Sequence, residues 1–453
     1  MKFKTPVNEN YAATVVRLKN FVELDNCDNV KSALIFGNSV IVSKDCQVGD
    51  VGLFFPVECQ LSKEFLGQNN LFRKPEFGNI DPEKTGFFEH HGRVKAVKFR
   101  GHKSEGFWIP LHSVEYTGIQ DEFKDGLTFD FIGDHEICRK YVIKKHVQNP
   151  TRGKKAVDLA KYITDGQFRF HFDTTNLRKN IKEIRPNDLI SITDKWHGTS
   201  AVYANVLIKR KLNIIEWLLK KLGVKIKDTK YGLVYSSRRG IRFVDKIRTK
   251  SKEYIDAFNL ENIWGVVGNE VGSKIPKGFT VYGEIVGYLP SGMPIQGKFR
   301  YGNDFDKKTN GIGNYHYGCQ VGEHRFLVYR VTTTNEDGQV VELPFPQMKE
   351  FCVRNGLEHV KEFYYGYAEA LVKSKNYVCD EEWQEQLLLS LEKEYVHDQM
   401  CSYNHNEVPA EGIVVRKDEL NECKSFKLKN FKFLEWESKQ LDSGQVDIES
   451  SQE

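Results

Sequence analysis

The sequence Leu189-Ile-Ser-Ile-Thr-Asp-Lys-Trp-His-Gly198 decides how the larger part of this 453-residue chain is organised. Its first residues alternate as in a strand, and Ser200-Ala-Val-Tyr-Ala-Asn-Val206 predicts a second strand after a short loop. Lys195 and His197 are two residues apart in this strand–loop–strand unit, so we expect both side chains to point to the same side. In isolation, a lysine three residues before a glycine is more often part of a surface turn.

Four downstream fragments change that interpretation. They are Tyr282-Gly-Glu284, Phe326-Leu-Val-Tyr329, Glu411-Gly-Ile-Val-Val-Arg-Lys417 and Lys427-Leu-Lys429. A lysine amine is a nucleophile only after it loses its proton, and its ordinary pKa is about 10.4. Burial or neighbouring cations lower such a pKa. The ordered set supplies an amine, two carboxylates, an aromatic platform and paired cations, which suits transfer of a nucleoside monophosphate from a triphosphate onto Lys195.

Lys427 and Lys429 are the candidate neighbouring cations. On a strand they project from one face, while Phe426 and Leu428 point into a core. Two adjacent ammonium groups repel each other, so the pair is best explained by a polyphosphate in front of it. A solvated strand face is the alternative for an isolated pair of this kind.

Three other side chains each have a chemical and a structural interpretation. Glu284 lies in a strand-like run, where a carboxylate costs free energy unless it is paired or faces a ligand. It also fits a solvent-facing strand position. Glu411 suits a hard divalent cation, or the start of a strand. Tyr329 suits stacking on a purine, or packing in a core.

Composition describes a globular protein of two or three domains. The net charge of +4 permits a polyanionic partner. The nine cysteines form no Cys-x-x-Cys pair, which favours reduced thiols over a zinc site or a disulfide framework. The sequence has no apolar signal core and no apolar run of about 18–20 residues. We therefore expect a cytoplasmic monomer without a membrane partner.

Short strands with glycine-rich corners up to about residue 145 predict a small barrel, for which the OB fold is the natural candidate. The predicted organisation has four parts. They are an OB-like nucleic-acid-binding domain at 1–145, a linker at 146–165, a catalytic domain at 166–437 with helices near 347–395, and a polar tail at 438–453.

The ordered motifs resemble those of the covalent nucleotidyltransferase superfamily, which contains ATP-dependent ligases and capping enzymes. Lys-x-His-Gly at Lys195, in place of Lys-x-Asp-Gly, resembles the RNA ligase 2 class. Gly92-Arg-Val-Lys-Ala-Val-Lys-Phe-Arg-Gly101 and Ser104-Glu-Gly-Phe-Trp-Ile-Pro110 resemble the N-terminal OB module of the Deinococcus-type RNA ligases. The resemblance implies an α+β fold, with an OB-like β-barrel followed by a nucleotidyltransferase domain of ATP-grasp-like antiparallel sheets with helices.

The resemblance also implies a role for each motif residue. Lys195 would form the covalent lysyl-AMP beside His197 and Gly198. Glu284 would contact the ribose, and Tyr329 and Val414 would contact the two faces of adenine. Glu411 would bind the metal, and Lys427 and Lys429 would engage phosphates. The family has an arginine after the lysine motif, for which Arg238 is preferred over Arg239. Residues 171–176 occupy the place of a segment that touches the nucleotide or nick. Lys98, Arg100 and Lys103 would bind nucleic-acid phosphates.

The activity implied is ATP-dependent RNA ligation in the repair of nicked RNA or an RNA-containing duplex. A 3′-hydroxyl and a 5′-phosphate would be joined through lysyl-AMP and adenylylated RNA, with ATP and Mg²⁺ or Mn²⁺ as cofactors. A DNA ligase or an mRNA guanylyltransferase usually carries its OB domain after the last lysine motif, and few residues follow Lys429 here. A non-catalytic nucleic-acid-binding protein with a degenerate transferase fold is the other alternative. Nicked and single-stranded substrates, and RNA or DNA on each side of the junction, stay open.

Residues 207–230 are a departure from the family pattern. This insertion is rich in lysine and has an apolar side, formed by Ile214, Ile215, Trp217, Leu218, Leu219 and Leu222. An extra RNA-binding or partner-binding helix and a solvated surface excursion are its two interpretations.

Overall fold

The computed structural model shows an α+β protein, which confirms the predicted class. The structure describes residues 3–119, 122–142, 158–172, 174–238, 240–245, 262–296, 299–300, 312–313, 315–372, 379–419 and 422–442. Arg239 and most of the predicted linker lie outside these residues. Among the helices that are described, none has the length and apolar character needed to cross a membrane.

The N-terminal region, residues 3–142, consists of short strands in several small sheets. Its elements are β1 (Ala13–Arg17), β2 (Phe21–Val22), β3 (Val30–Ile35), β4 (Asn38–Ser43), β5 (Val51–Phe55), β6 (Cys59–Leu61), α1 (Lys63–Gln68), β7 (Ala96–Phe99), β8 (His102–Glu105), β9 (Phe107–Pro110), β10 (Thr128–Phe129), β11 (Phe131–Ile132), β12 (His135–Glu136) and β13 (Cys138–Lys140). The largest sheet has the order β10-β1-β5-β9, and β2-β3-β4 form a second. Over residues 3–119 and 122–142 the paired strands do not close into a barrel, so the predicted barrel closure is not confirmed.

The region after residue 158 is built on two larger sheets. Its strands are β14 (Thr175–Asn176), β15 (Leu189–Lys195), β16 (Thr199–Lys209), β17 (Thr229–Ser236), β18 (Ile241–Val244), β19 (Phe279–Gly287), β20 (Phe299–Arg300), β21 (Ile312–Gly313), β22 (His324–Thr334), β23 (Val340–Glu342), β24 (Glu358–His359), β25 (Glu362–Tyr367), β26 (Gly412–Lys417) and β27 (Lys424–Lys429). One sheet has the order β18-β17-β16-β19-β22-β23, with β24 beside β22. The other has the order β14-β27-β26-β15-β25.

Helices lie between or after these strands in the chain. They are α2 (Leu177–Asn180), α3 (Ile214–Lys221), α4 (Ile263–Val271), α5 (Phe345–Arg354), α6 (Asp380–Leu391) and α7 (Phe431–Asp442). The helices predicted near 347–395 are present as α5 and α6, and two strands that were not predicted, β24 and β25, lie between them. The sequence Glu362-Phe-Tyr-Tyr-Gly-Tyr367 favours a strand because aromatic side chains fit the pleated surface, and β25 pairs with β15.

The C-terminal helix α7 corrects the predicted tail. Residues 438–442 are helical, and residues 443–453 lie outside the described part. The guanidinium of Arg93 donates to the Ser438 carbonyl at 2.7 Å and pairs with Asp442 at 2.5 Å. The polar composition of this segment therefore reflects a buried contact with the N-terminal region. The start of the catalytic region also differs, because Ala160–Tyr162 form a 3-10 turn and Ile163 is buried inside the predicted linker.

Helix α2 makes a second contact with the N-terminal region. Lys179 Nζ donates to the carbonyls of Glu9 and Ala12 and to Thr14 Oγ1, at 3.2, 3.4 and 3.1 Å. Burial lowers the pKa of Lys179 to about 8. Arg178 Nη1 donates to the Gly37 carbonyl at 2.8 Å. The N-terminal strands thus pack directly against the sheet that carries the lysine motif.

Candidate active site

The five-stranded sheet brings the first and last motifs together. Lys195 pairs with Gly412, Gly412 pairs with Lys429, and Val414 pairs with Lys427. Paired residues share a face of a sheet, so the three lysines and Val414 project from one side. The alternate residues pack in the core behind the sheet, among them Ile192, Ile413, Phe426 and Leu428. The predicted orientation of Lys427 and Lys429 is confirmed.

Two motif positions require glycine because the backbone of a neighbouring strand lies too close for a Cβ atom. Gly412 has φ +142°, and a Cβ there would lie 2.1 Å from the Leu428 carbonyl oxygen. A Cβ on Gly198 would lie 2.3 Å from the Ile285 carbonyl oxygen. The Gly198 amide donates to Glu284 Oε1 at 3.2 Å, so this glycine orients the carboxylate.

A cavity of about 510 Å³ lies between the two sheets. Of the predicted site residues, Lys195, Glu284, Tyr329 and Val414 line it. The volume is within the range of small-molecule sites in proteins. Four residues from four strands, separated by more than 200 positions in sequence, thus face one common space.

Tyr329 is held in place by two hydrogen bonds at the wall of this cavity. Its hydroxyl lies 2.7 Å from His171 Nδ1 and 3.3 Å from Ser200 Oγ. The segment 171–176, which the resemblance placed near the nucleotide, contributes to the lining through His171, Phe172, Thr174 and Thr175. Residue 173 of that segment lies outside the described residues.

Glu411 lies between Lys195 and Lys429. Its Oε1 lies 2.8 Å from Lys195 Nζ and 3.6 Å from Lys429 Nζ. Burial raises the pKa of Glu411, but Lys195 and Lys429 outweigh burial and hold it below the ordinary value. Its Oε2 is buried and has no hydrogen-bond partner within the described ranges. The site therefore contains a buried, ionised carboxylate with one oxygen available.

Lys427 and Lys429 face the N-terminal region across a smaller cavity of about 70 Å³. Lys427 Nζ lies 6.0 Å from the ring centroid of Tyr11, and Lys429 Nζ lies 2.9 Å from Glu437 Oε2 on α7. Burial lowers the pKa of Lys429, but Glu437 and Glu411 raise it well above the ordinary value. Lys429 therefore stays positively charged.

His197 does not line the main cavity. Its ring packs against the edges or faces of Tyr315, Phe433 and Trp436, at centroid distances of 5.1, 5.1 and 5.7 Å. Its amide donates to the Tyr317 hydroxyl at 2.6 Å. Tyr315 and the aromatic side chains of α7 therefore surround this ring. Electrostatic interaction with His197 also lowers the pKa of Glu411, which places His197 near the carboxylate.

Arg238, the preferred motif arginine, follows β17 and is not among the residues that line either cavity. Of the three N-terminal cations, Lys98 lies 3.8 Å from Glu435, and Lys103 lies 3.2 Å from Glu105. Arg100 donates to the Asn26 carbonyl at 2.6 Å. Lys98 and Lys103 also line a cavity of about 190 Å³ together with Lys429 and Lys432. The hairpin β7–β8 thus adjoins the catalytic sheet.

Charged side chains that the sequence analysis did not assign to the site, Arg330, Glu342 and Arg416, also line the main cavity. Arg330 lies 2.7 Å from Glu342, and Arg416 lies 3.5 Å from the same carboxylate and 3.0 Å from Asp418. The signal for Arg416 was present, because it lies two residues after Val414 on the same strand and so shares its face. Glu342 belongs to none of the sequence motifs. It reaches the cavity through the pairing of β23 with β22.

The sequence analysis also did not identify Asp194, which directly precedes Lys195. Burial raises the pKa of Asp194 to about 7, although the charge of Lys361 opposes the shift. The charge of Glu411 raises it further. A carboxyl group at the end of the apolar strand β15 was the available signal, since such a position is costly for a charged group.

Comparisons with known proteins address the family and the fold. A family model described as RNA ligase matches residues 188–433, more than half of the chain. The chain is similar to Naegleria gruberi RNA ligase solved with pyrophosphate, at 14% identity and a TM-score of 0.51, over 96% of this chain and 100% of that one. A mutant of the same ligase in its apo form gives 14% identity and a TM-score of 0.52, over 97% and 100%. Among curated proteins, none matches significantly.

Proposed function

The chain belongs to the RNA ligase family, and we propose that it uses ATP to join a 3′-hydroxyl to a 5′-phosphate on RNA. The predicted class of enzyme, an RNA ligase of the covalent nucleotidyltransferase superfamily, is confirmed by this membership. One observation carries the proposed mechanism. The Glu411 carboxylate contacts the ammonium groups of Lys195 and Lys429 beside a cavity large enough for a nucleotide.

In the first step, deprotonated Lys195 Nζ attacks the α-phosphorus of ATP. A nitrogen–phosphorus bond forms, the bond from the α-phosphorus to the bridging oxygen breaks, and pyrophosphate leaves. Lys427 and Lys429 neutralise charge on the leaving group, since preorganised cations act where charge develops. Pyrophosphate is also the molecule with which the Naegleria gruberi ligase was solved.

The nucleoside is held between the two sheets. Tyr329 and Val414 line the same cavity and would enclose the adenine ring, while Glu284 accepts hydrogen bonds from the ribose hydroxyls. The hydrogen bonds of Tyr329 to His171 and Ser200 fix the plane of its ring before the nucleotide enters. Positioning of this kind lowers the entropic cost of reaction.

Glu411 fits a divalent cation such as Mg²⁺ or Mn²⁺. Within the described ranges no group of three His, Cys, Asp or Glu side chains is arranged as a metal site. Mg²⁺ is commonly held by one or two carboxylates together with substrate phosphates, and Glu411 Oε2 is a buried oxygen that lacks a partner. When bound there, the cation would screen the negative charge of the α-phosphate.

In the later steps the N-terminal region would hold the RNA. AMP passes from Lys195 to the RNA 5′-phosphate, and the 3′-hydroxyl then displaces AMP as the new phosphodiester forms. We assign residues 1–145 to an OB-like module, in which Lys98, Arg100 and Lys103 contact phosphates. These cations lie on or beside the hairpin that adjoins the catalytic sheet, which supports a path for RNA from one region to the other.

A sealing assay tests the proposed function. The chain would be incubated with ATP, Mg²⁺ and 5′-phosphorylated nicked RNA duplex, nicked DNA duplex or single strands, and the joined product would be measured. We expect sealing of the RNA nick. The Lys98→Ala/Arg100→Ala/Lys103→Ala variant should seal more slowly but accept AMP on Lys195 at the wild-type rate. A folded, AMP-labelled chain that joins none of these RNA substrates would contradict the proposal.

A further inference from the structure

Helix α3 is an exposed amphipathic helix with a broad apolar side. It begins after Asn213, whose side chain and that of Glu216 form a capping box. None of its residues is buried. Six large apolar side chains are exposed, with exposed fractions from 38% to 80%: Ile214, Ile215, Trp217, Leu218, Leu219 and Leu222. At about 100° per residue, these positions cover roughly 200° of the helix circumference.

The insertion 207–230 is also strongly basic. It contains eight Lys or Arg and two acidic residues, a net charge of +6, whereas the whole chain carries +4. Glu216 and Asp228 are paired with Arg210 and Lys220. Four lysines form no ion pair with any described residue: Lys209, Lys211, Lys221 and Lys225. The exposed apolar side is therefore accompanied by uncompensated positive charge.

Trp217 and Lys221 have the arrangement of an interfacial pair. Lys221 Nζ lies 4.0 Å from the Trp217 ring centroid. A lysine stem can cover apolar surface while its ammonium group reaches polar surroundings, and tryptophan favours the boundary between water and hydrocarbon. Together these two side chains suit the interface between apolar acyl chains and anionic headgroups.

We propose that α3 binds the surface of an anionic phospholipid bilayer, with its apolar side among the acyl chains and its lysines on the headgroups. An apolar side that carries Trp and Leu, with lysines beside it, is a feature of helices that lie in a membrane interface. A stripe of about 100° suffices to pack against one flat protein face. The apolar side of α3 is broader than such a stripe, which suits its burial among the acyl chains of a bilayer.

Two other occupants are disfavoured, one by charge and one by the apolar surface. A second copy of the chain would bring one +6 insertion against another. An RNA strand would bind the lysines but leave six apolar side chains in water, at a cost of about 25 cal/mol per Å² of apolar surface. The expectation of no membrane partner rested on the lack of a membrane-spanning segment, and an interfacial helix needs none.

Vesicle flotation with the full chain tests this proposal. The vesicles would contain phosphatidylcholine alone or with about 30% phosphatidylserine. We expect at least about tenfold more chain on the anionic vesicles, and at least about tenfold less for the Trp217→Gln/Leu218→Gln/Leu222→Gln variant. Leu389→Gln is the matched control, because Leu389 is 63% exposed on α6. It should bind as wild type does.

Tryptophan fluorescence gives a second, site-specific measurement. Of the six tryptophans, Trp217 is 49% exposed and the other five are at most 6% exposed. Lipids with brominated acyl chains should therefore quench Trp217, and Trp217→Phe should remove the quenching. Wild-type chain that fails to float with anionic vesicles, or a triple variant that floats equally well, would overturn the proposal. So would a triple variant that loses a protein partner or RNA while its flotation is unchanged.

Discussion

Glu411 Oε1 lies 2.8 Å from Lys195 Nζ in the interior of the site. The same oxygen lies 3.6 Å from Lys429 Nζ, so one buried carboxylate contacts both ammonium groups. Removing one member of a buried charge cluster leaves the others uncompensated, which is strongly unfavourable. This relationship makes Glu411 the most informative position at which to change charge without changing shape.

Glu411→Gln keeps the size of the side chain and removes its charge. We expect the rate of AMP transfer to Lys195 to fall about 100-fold, because the charged oxygen that would hold a divalent cation is lost. Single-turnover labelling with α-labelled ATP measures this rate. Glu407→Gln is the matched control, since Glu407 is exposed four residues earlier. A rate for Glu411→Gln close to that of the control would show that the carboxylate charge is dispensable.

Two substitutions at Tyr329 separate its hydroxyl from its ring. Tyr329→Phe removes the hydrogen bonds to His171 and Ser200, so we expect KM for ATP to rise about fivefold, equivalent to about 1 kcal/mol. Tyr329→Ala also removes the aromatic face, and a further rise of about 10–100-fold is expected from lost stacking. Steady-state adenylylation at varied ATP concentration measures both. Equal KM values for the two variants would argue against stacking by this ring.

The stability of the chain should depend on pH through Asp194. Burial raises its pKa to about 7 in the folded chain, whereas an unfolded aspartate titrates near about 3.9. The folded chain thus binds this proton more tightly, so the contribution to stability is complete below pH of about 4 and is lost as pH rises through 7.

Asp194→Asn should therefore stabilise the chain relative to wild type at pH 8 and much less at pH 5. Thermal unfolding of both proteins at the two pH values gives the two differences in Tm. A difference in Tm that is the same at pH 5 and pH 8 would mean that Asp194 does not titrate in this interval.

Local patterns predicted much of the fold and part of the cavity lining. Phe426 and Lys427 alternate as a strand requires, and the structure confirms the face of each. Lys195, Glu284, Tyr329 and Val414 were likewise identified from motifs on strands, and the sheets bring them together. Such features follow from residues two apart on one strand, which the sequence displays directly.

Features that depend on distant contacts were not predictable. His197 is turned from the cavity by Phe433 and Trp436, more than 200 residues later. The sequence predicted a polar tail at the end of α7, because Arg93, which contacts this segment, lies 345 residues before Ser438. Barrel closure depends on pairing between strands far apart in sequence, and no local pattern reports it. All three features depend on tertiary contacts or strand pairing that the sequence of a single element does not predict.

Covalent labelling of Lys195 is the most direct test of the proposed chemistry. The wild-type chain and Lys195→Ala would be incubated with α-labelled ATP and Mg²⁺, then denatured and measured for bound label. We expect label on the wild-type chain, released by excess pyrophosphate, and none on Lys195→Ala. Folded wild-type chain without label, or Lys195→Ala labelled to the same extent, would contradict the assignment of Lys195 as the nucleophile.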